Sequence, residues 1–110
     1  TTYSLAKACF KIINIFSNND KKLPLKLHWS NRGSATWAQI AYQIGEIGIK
    51  KGLLTKKAAI IPVSSKDFSQ KAKRPTYSVL DCEETQRILE YKPSHWEEAL
   101  GEIIEKIKLN

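Results

Sequence analysis

Three capping signatures punctuate this chain: Thr36 with Gln39, Asp81 with Glu84, and Ser94 with Glu97. In each, a short oxygen-bearing side chain stands three residues before a side chain that can answer it. The pairing satisfies amide donors that the first turn of a helix leaves unbonded, so it fixes where helices begin. Thr36 predicts a helix carrying Trp37, Ile40, Ala41, Ile44 and Ile47 on one face, closed near Lys50 by Gly45, Gly48 and Gly52. Asp81 predicts a short helix through Leu89. Ser94 predicts a last one carrying Trp96, Leu100, Ile103, Ile104 and Ile107.

The remaining elements follow from periodicity. Leu5, Ala8, Cys9, Ile12, Ile13 and Phe16 recur at three- and four-residue spacing, which predicts an opening helix with that face buried. The turn-formers Ser17-Asn18-Asn19-Asp20 end it. Leu25, Leu27 and Trp29 alternate with Lys26, His28 and Ser30, the pattern of a half-buried strand. Ala58 to Val63 is an apolar run broken by Pro62, which predicts a strand near an edge. Tyr77 to Leu80 reads as a brief extended segment. The expectation is an α+β unit of three to four helices and two to three short strands, forming a single domain over residues 1–110.

Composition narrows the function classes. At 110 residues the chain holds one ordinary core. It contains no apolar run near the ~18 residues of a spanning helix and no basic-then-apolar leader. Cys9 and Cys82 are too few and too far apart for a disulfide scaffold or a cysteine-built zinc site, so a reducing cytoplasm is the expected compartment. The net charge of +7 is polarised: a basic centre runs from Lys50 to Arg74, and the last thirty residues are rich in Asp and Glu. A solvated lysine surface accounts for most of that charge. No zinc-finger spacing or aromatic-basic RNA signature supports a nucleic-acid partner.

Catalytic and metal motifs are sparse. His28 and His95 stand far apart without a cysteine pair, which predicts no metal site. G-x-S-x-G, G-x-G-x-x-G and G-x-x-x-x-G-K-[ST] are absent. Tyr3-x-x-x-Lys7 has the spacing of a dehydrogenase acid beside its lysine, but nothing nearby would hold a nicotinamide. Arg74-Pro75 is more informative. Proline pushes Arg74 toward an extended backbone and presents its guanidinium from a rigid position. That fork suits a phosphate or diphosphate bidentately, and also a carboxylate or helix C-terminus. Tyr77, Trp29 and Trp37 could stack on a base or sugar, with core packing the ordinary role of the two tryptophans.

The stretch Ile60 to Asp81, IIPVSSKDFSQKAKRPTYSVLD, resembles a signature segment of the dTDP-4-dehydrorhamnose reductase family, extended short-chain dehydrogenases that reduce a nucleotide-linked keto-sugar with NADH or NADPH. Three flanking pieces agree in order: TTYSLAKA, LHWSNRGSATWAQIA and HWEEAL. The resemblance implies the C-terminal, substrate-binding lobe of such an enzyme, lying after a Pro-Thr turn. A nucleotide-binding Rossmann half would precede it in a parent roughly two to three times as long. It also implies that the catalytic Ser/Thr, Tyr and Lys and the cofactor site belong to that half, leaving no catalytic or cofactor-binding residue in this chain.

By the same resemblance, Arg74 is the candidate contact to the nucleotide diphosphate of a dTDP-sugar, with Thr2, Tyr77 and Lys73 beside it. A related subfamily serves as a regulatory subunit of methionine adenosyltransferase and shares an Arg-Pro segment. The SVLD close and the Thr-Trp helix start favour the reductase. Separated from its other half, the lobe is expected to be marginally stable or to self-associate as a homo-oligomer through the apolar face left uncovered.

Overall fold

The opening helix turns inward a side that shares Ala8 with the face its periodicity predicts but is rotated about a quarter turn from it. In the computed structural model, which describes residues 1–18, 22–64, 67, 72 and 75–108 (the side chain of Lys108 aside), α1 spans Thr2–Ser17. The Thr1 side chain accepts from the Ser4 amide, and Asn18 caps the far end, where turn-formers were expected. Its buried residues are Ser4 and Ala8, while Leu5, Ile13 and Phe16 are at least half exposed. Spacing alone shows that one stripe of a helix is apolar. Here a stripe of small residues permits closer approach to the neighbouring element, α3, and the bulky stripe faces outward.

Three further helices follow: α2 (Trp37–Lys50), α3 (Glu83–Leu89) and α4 (Trp96–Lys108). The chain sorts into two units. One comprises Thr1–Gly33 with Val79–Ala99, the other Ser34–Ser78 with Leu100–Asn110. α1 and α3 belong to the first and α2 to the second; α4 starts in the first, and its residues from Leu100 belong to the second.

Of the three capping boxes, one forms as read. Thr36 accepts from the Gln39 amide at 3.2 Å, and the Gln39 carbonyl oxygen accepts from the Thr36 amide at 2.7 Å. The far end of α2 closes as a Schellman turn: Leu53 N–H bonds the Gly48 carbonyl and Gly52 N–H the Ile49 carbonyl. Gly52 takes the left-handed φ of +71° this turn requires.

The other two boxes are replaced. Cys82 occupies the N-cap of α3 without a side-chain bond, and Asp81 instead accepts from the Glu83 amide two residues on, at 3.0 Å. The helix still ends at Leu89, with Glu90 held in the left-handed region at φ 47°. At α4 the first helical bond goes from the Ala99 amide to the His95 carbonyl, so the cap position falls on His95. Ser94 is drawn away by Asn31, whose Nδ2 donates to its carbonyl at 3.1 Å and its hydroxyl at 3.4 Å. A tertiary partner outcompeted the local one.

The expected strands do not form among the described residues. A single parallel bridge, Arg32 with His95, is the only pairing of that kind there. Alternation marks which face of a segment could be buried, but a strand exists only as half of a pair. Leu25–Trp29, Ala58–Val63 and Tyr77–Leu80 have no ladder partner among the described residues. Most of their apolar side chains are accordingly open, with Leu25 fully exposed and Ile61 80% exposed, while Leu27 and Trp29 are half-buried. Among the described residues the expected three to four helices are four, joined by irregular segments, and the two to three strands of the α+β expectation are not found there.

Candidate functional site

Of the four residues put forward as substrate contacts, the structure describes two. Lys73 and Arg74 lie outside the described residues. Thr2 is the first residue of α1 and is exposed. Tyr77 is 75% exposed and belongs to the other unit. What the structure does build is two local constellations that sequence reading missed.

The first joins residues 29–33 to 91–96, within one unit. Arg32 N–H donates to the Ser94 carbonyl at 3.1 Å, and Trp96 N–H donates to the Arg32 carbonyl at 2.9 Å. The Arg32 guanidinium, on an exposed residue, gives Nε–H to the carbonyl of buried Pro93 at 2.7 Å. Gly33, at φ +84°, passes under the His95 ring; a Cβ there would lie 2.1 Å from Nε2. Only glycine fits both the backbone and the ring. His95 also lies 3.6 Å from the Glu97 carboxylate.

Beside this weave stands an aromatic and cationic stack. Trp29 lies on Tyr91 with centroids 5.4 Å apart, and the Trp29 indole donates to Ser4 Oγ at 3.1 Å. Lys7 and Lys11, one turn apart on α1, hold their ammonium groups 4.7 and 5.7 Å from the Tyr91 ring. Lys7 is thus engaged with Tyr91, as a cation over a π-face. The Trp29 reading as core packing fits its half-buried stack; Trp37, at 78% exposed, is not core in this chain. The signal for the stack was absent from the sequence because residues 7, 29 and 91 share no local pattern.

The second constellation lies in the other unit. Lys57 pairs with Glu46 and hangs over the Tyr42 ring at 5.4 Å. The Lys57 hydrogen bond, with a second from Tyr42, holds the Glu46 carboxyl below its usual value; the Glu46 bond pushes Lys57 up. These groups border an open hollow of about 330 Å³ lined by Ala41, Ile44, Leu54 and Ile60 among others. Lys51 pairs with Glu105 at 2.6 Å, so two lysines of the basic centre face carboxylates.

No group of three His, Cys, Asp or Glu is placed to hold a metal ion among the described residues. The glycines do not fit a dinucleotide cradle either. Gly33 sits against His95, Gly45 against Lys57 and Gly48 against Leu54, and Gly52 closes a helix. No step of hydride chemistry is assigned to this chain.

The sequence pattern described as the RmlD substrate binding domain matches residues 1–109. The chain belongs to that family. Among curated proteins, the spore coat polysaccharide biosynthesis protein SpsK of Bacillus subtilis (strain 168) is 35% identical over 108 residues, covering 96% of this chain and 32% of the relative. The chain therefore spans about a third of the length of the relative it matches. No solved structure matches it. The RmlD family is of the sugar-nucleotide reductase type, and this domain is its substrate-binding part. No helix among the described residues is long and apolar enough to cross a membrane.

Proposed function

We propose that this chain is the substrate-recognition lobe of a cytoplasmic, NAD(P)H-dependent reductase that converts dTDP-4-dehydro-L-rhamnose to dTDP-L-rhamnose. The observation that carries the reading is the match to the RmlD substrate binding domain across residues 1–109. The likeness to a protein of polysaccharide biosynthesis supports it, because polysaccharides are assembled from activated sugars. On this reading a nucleotide-binding half precedes Thr1 in the parent polypeptide. It supplies the nicotinamide site and the proton donor. A nicotinamide bound there would supply the hydride for the C4 carbonyl carbon, and that half's proton donor the proton for its oxygen, neither from this chain.

The part left to these residues is binding and orientation. Arg74, with its sequence neighbour Lys73, is the proposed partner of the diphosphate through charge-assisted hydrogen bonds, and Tyr77 and Thr2 are further candidate substrate contacts. Tyr77 carries an open aromatic face suited to a base or sugar ring. The test is to incubate the full-length parent with dTDP-4-dehydro-L-rhamnose and NADPH and follow loss of the reduced nicotinamide. Turnover is expected, with Arg74→Ala raising KM more than it lowers kcat. No oxidation with either NADPH or NADH overturns the reading. A parent whose upstream sequence lacks both the glycine-rich nucleotide loop and a Tyr-x-x-x-Lys pair points to a non-catalytic subunit of the same fold.

A further inference from the structure

The aromatic and cationic stack beside α1 gathers more positive charge than its surroundings answer. Ser4, Lys7 and Lys11 stand three and four residues apart, so at about 100° per residue they share one stripe of the helix. Ser4 is buried and accepts the Trp29 indole N–H at 3.1 Å, and Trp29 stacks on Tyr91. The ammonium groups of Lys7 and Lys11 then lie 4.7 and 5.7 Å from the centre of the same Tyr91 ring. All five residues belong to one unit. Trp29 and Tyr91 are half-buried and hold each other in place, so the ring is a fixed platform with two cations drawn to it. Like charges one helical turn apart repel. A neutral ring attracts each cation without cancelling the charge of either.

The other unit shows how such an arrangement is completed. Lys57 also lies over a tyrosine ring, that of Tyr42, and there the Glu46 carboxylate pairs with it. Around Tyr91 no carboxylate plays that part. α1 contains no Asp or Glu, and among the described residues no carboxylate pairs with Lys7 or Lys11. Lys7 is exposed and Lys11 half-buried, so both are open to a ligand from solvent.

We infer that Lys7 and Lys11 form a binding site for a compact dianion, the phosphate group of a small soluble phosphate ester. Two ammonium groups match a doubly charged group, and each takes phosphate oxygens as a point charge that imposes no fixed fork. The half-buried ring beneath them excludes part of the water and strengthens their pull on an anion. This site is distinct from the diphosphate contact proposed above. Thr2 lies about 140° round α1 from Lys7, and Tyr77 belongs to the other unit.

Lysine acylation of the full-length protein tests this, with peptide-level mass spectrometry reading each lysine separately. Lys26, exposed and in the same unit, is the control. In inorganic phosphate at about ten times the half-saturating concentration, Lys7 and Lys11 are expected to react about tenfold more slowly than in sodium chloride of equal ionic strength. Lys26 is expected to react at the same rate in both. Lys11→Gln is expected to remove most of the protection at Lys7. Equal rates in phosphate and chloride overturn the inference and need no variant to fold. Slowing of Lys26 to the same extent is general screening and overturns it too, as does protection of Lys7 that survives Lys11→Gln. Protection given only by phosphatidylcholine vesicles carrying phosphatidic acid, or only by a single-stranded oligonucleotide, assigns the cations to a macromolecular surface and overturns it as well. Arg74→Ala separates this site from the substrate reading: the phosphate protection is expected to stay, and its loss would merge the two sites and overturn this one. Protected lysines in a protein that oxidises no nicotinamide sink the reductase reading and keep the phosphate site.

Discussion

The weave between residues 29–33 and 91–96 and the stretch from Leu53 to Leu80 respond differently to the same physics. In the weave, backbone groups of Arg32, Ser94 and Trp96 satisfy one another, and Arg32, Asn31 and Trp29 add side-chain bonds across long sequence separations. In the second stretch, Leu53, Ile60, Ile61, Val63, Val79 and Leu80 are all exposed. The difference is the availability of a partner. Polar groups in the weave find theirs inside one unit, whereas apolar side chains in the longer stretch are driven out of water only where a surface is offered.

Substitutions can break that comparison in order of size. Leu89 is 2% exposed, and Leu89→Ala should cost about 2–5 kcal/mol through lost burial and an unfilled cavity. Urea unfolding followed by circular dichroism measures it. Gly33→Ala comes next, because it adds a methyl group into the His95 ring and a side chain at φ +84°. A loss of about 2–3 kcal/mol is expected, with the melting temperature as readout. An unchanged midpoint would mean that the weave yields at that point. Ile61→Ser, at 80% exposure, should change the stability of this chain by less than about 0.5 kcal/mol. A loss near that of Leu89→Ala would show that the long stretch is packed after all.

The smallest effect is electrostatic and sharpens the view of the second unit. Glu46 has a folded-state pKa below its ordinary value of 4.5, so its contribution is present above that value and fades as pH falls through the lowered one. Lys57 is raised above 10.5, so its contribution is present below that value and fades as pH rises through the raised one. Both groups stand in water, and the pair is a modest one. Carboxyl chemical shifts followed by NMR should place the Glu46 midpoint under 4.5, and Lys57→Met should return it toward the ordinary value. A midpoint that ignores Lys57→Met would remove the pair as its cause.

Helix starts and stops were the most readable part of the sequence. The Thr36 box, the glycine close after Lys50 and the ends of α1 and α3 stand where spacing placed them, because capping is settled within a few residues. Ser94 shows the limit of that reading: its partner is Asn31, sixty-three positions away. Among the proposed contacts, Thr2 and Tyr77 are open side chains. The Trp29, Tyr91, Lys7 and Lys11 stack was illegible because no local spacing links those four residues.

Local bonding needs only neighbours along the chain, so composition and spacing by themselves determined roughly where the helices begin and end, and bounded their number at three to four. They also carried the resemblance to the sugar-nucleotide reductases, since a run such as KRPTYSVLD is specific as letters. Which face of α1 turns inward was decided by tertiary structure, and so were the placement of Ser94 and the lack of a ladder partner for three candidate strands among the described residues. Each depends on what surface stands opposite, and a linear pattern states what a segment can bury without stating what will cover it.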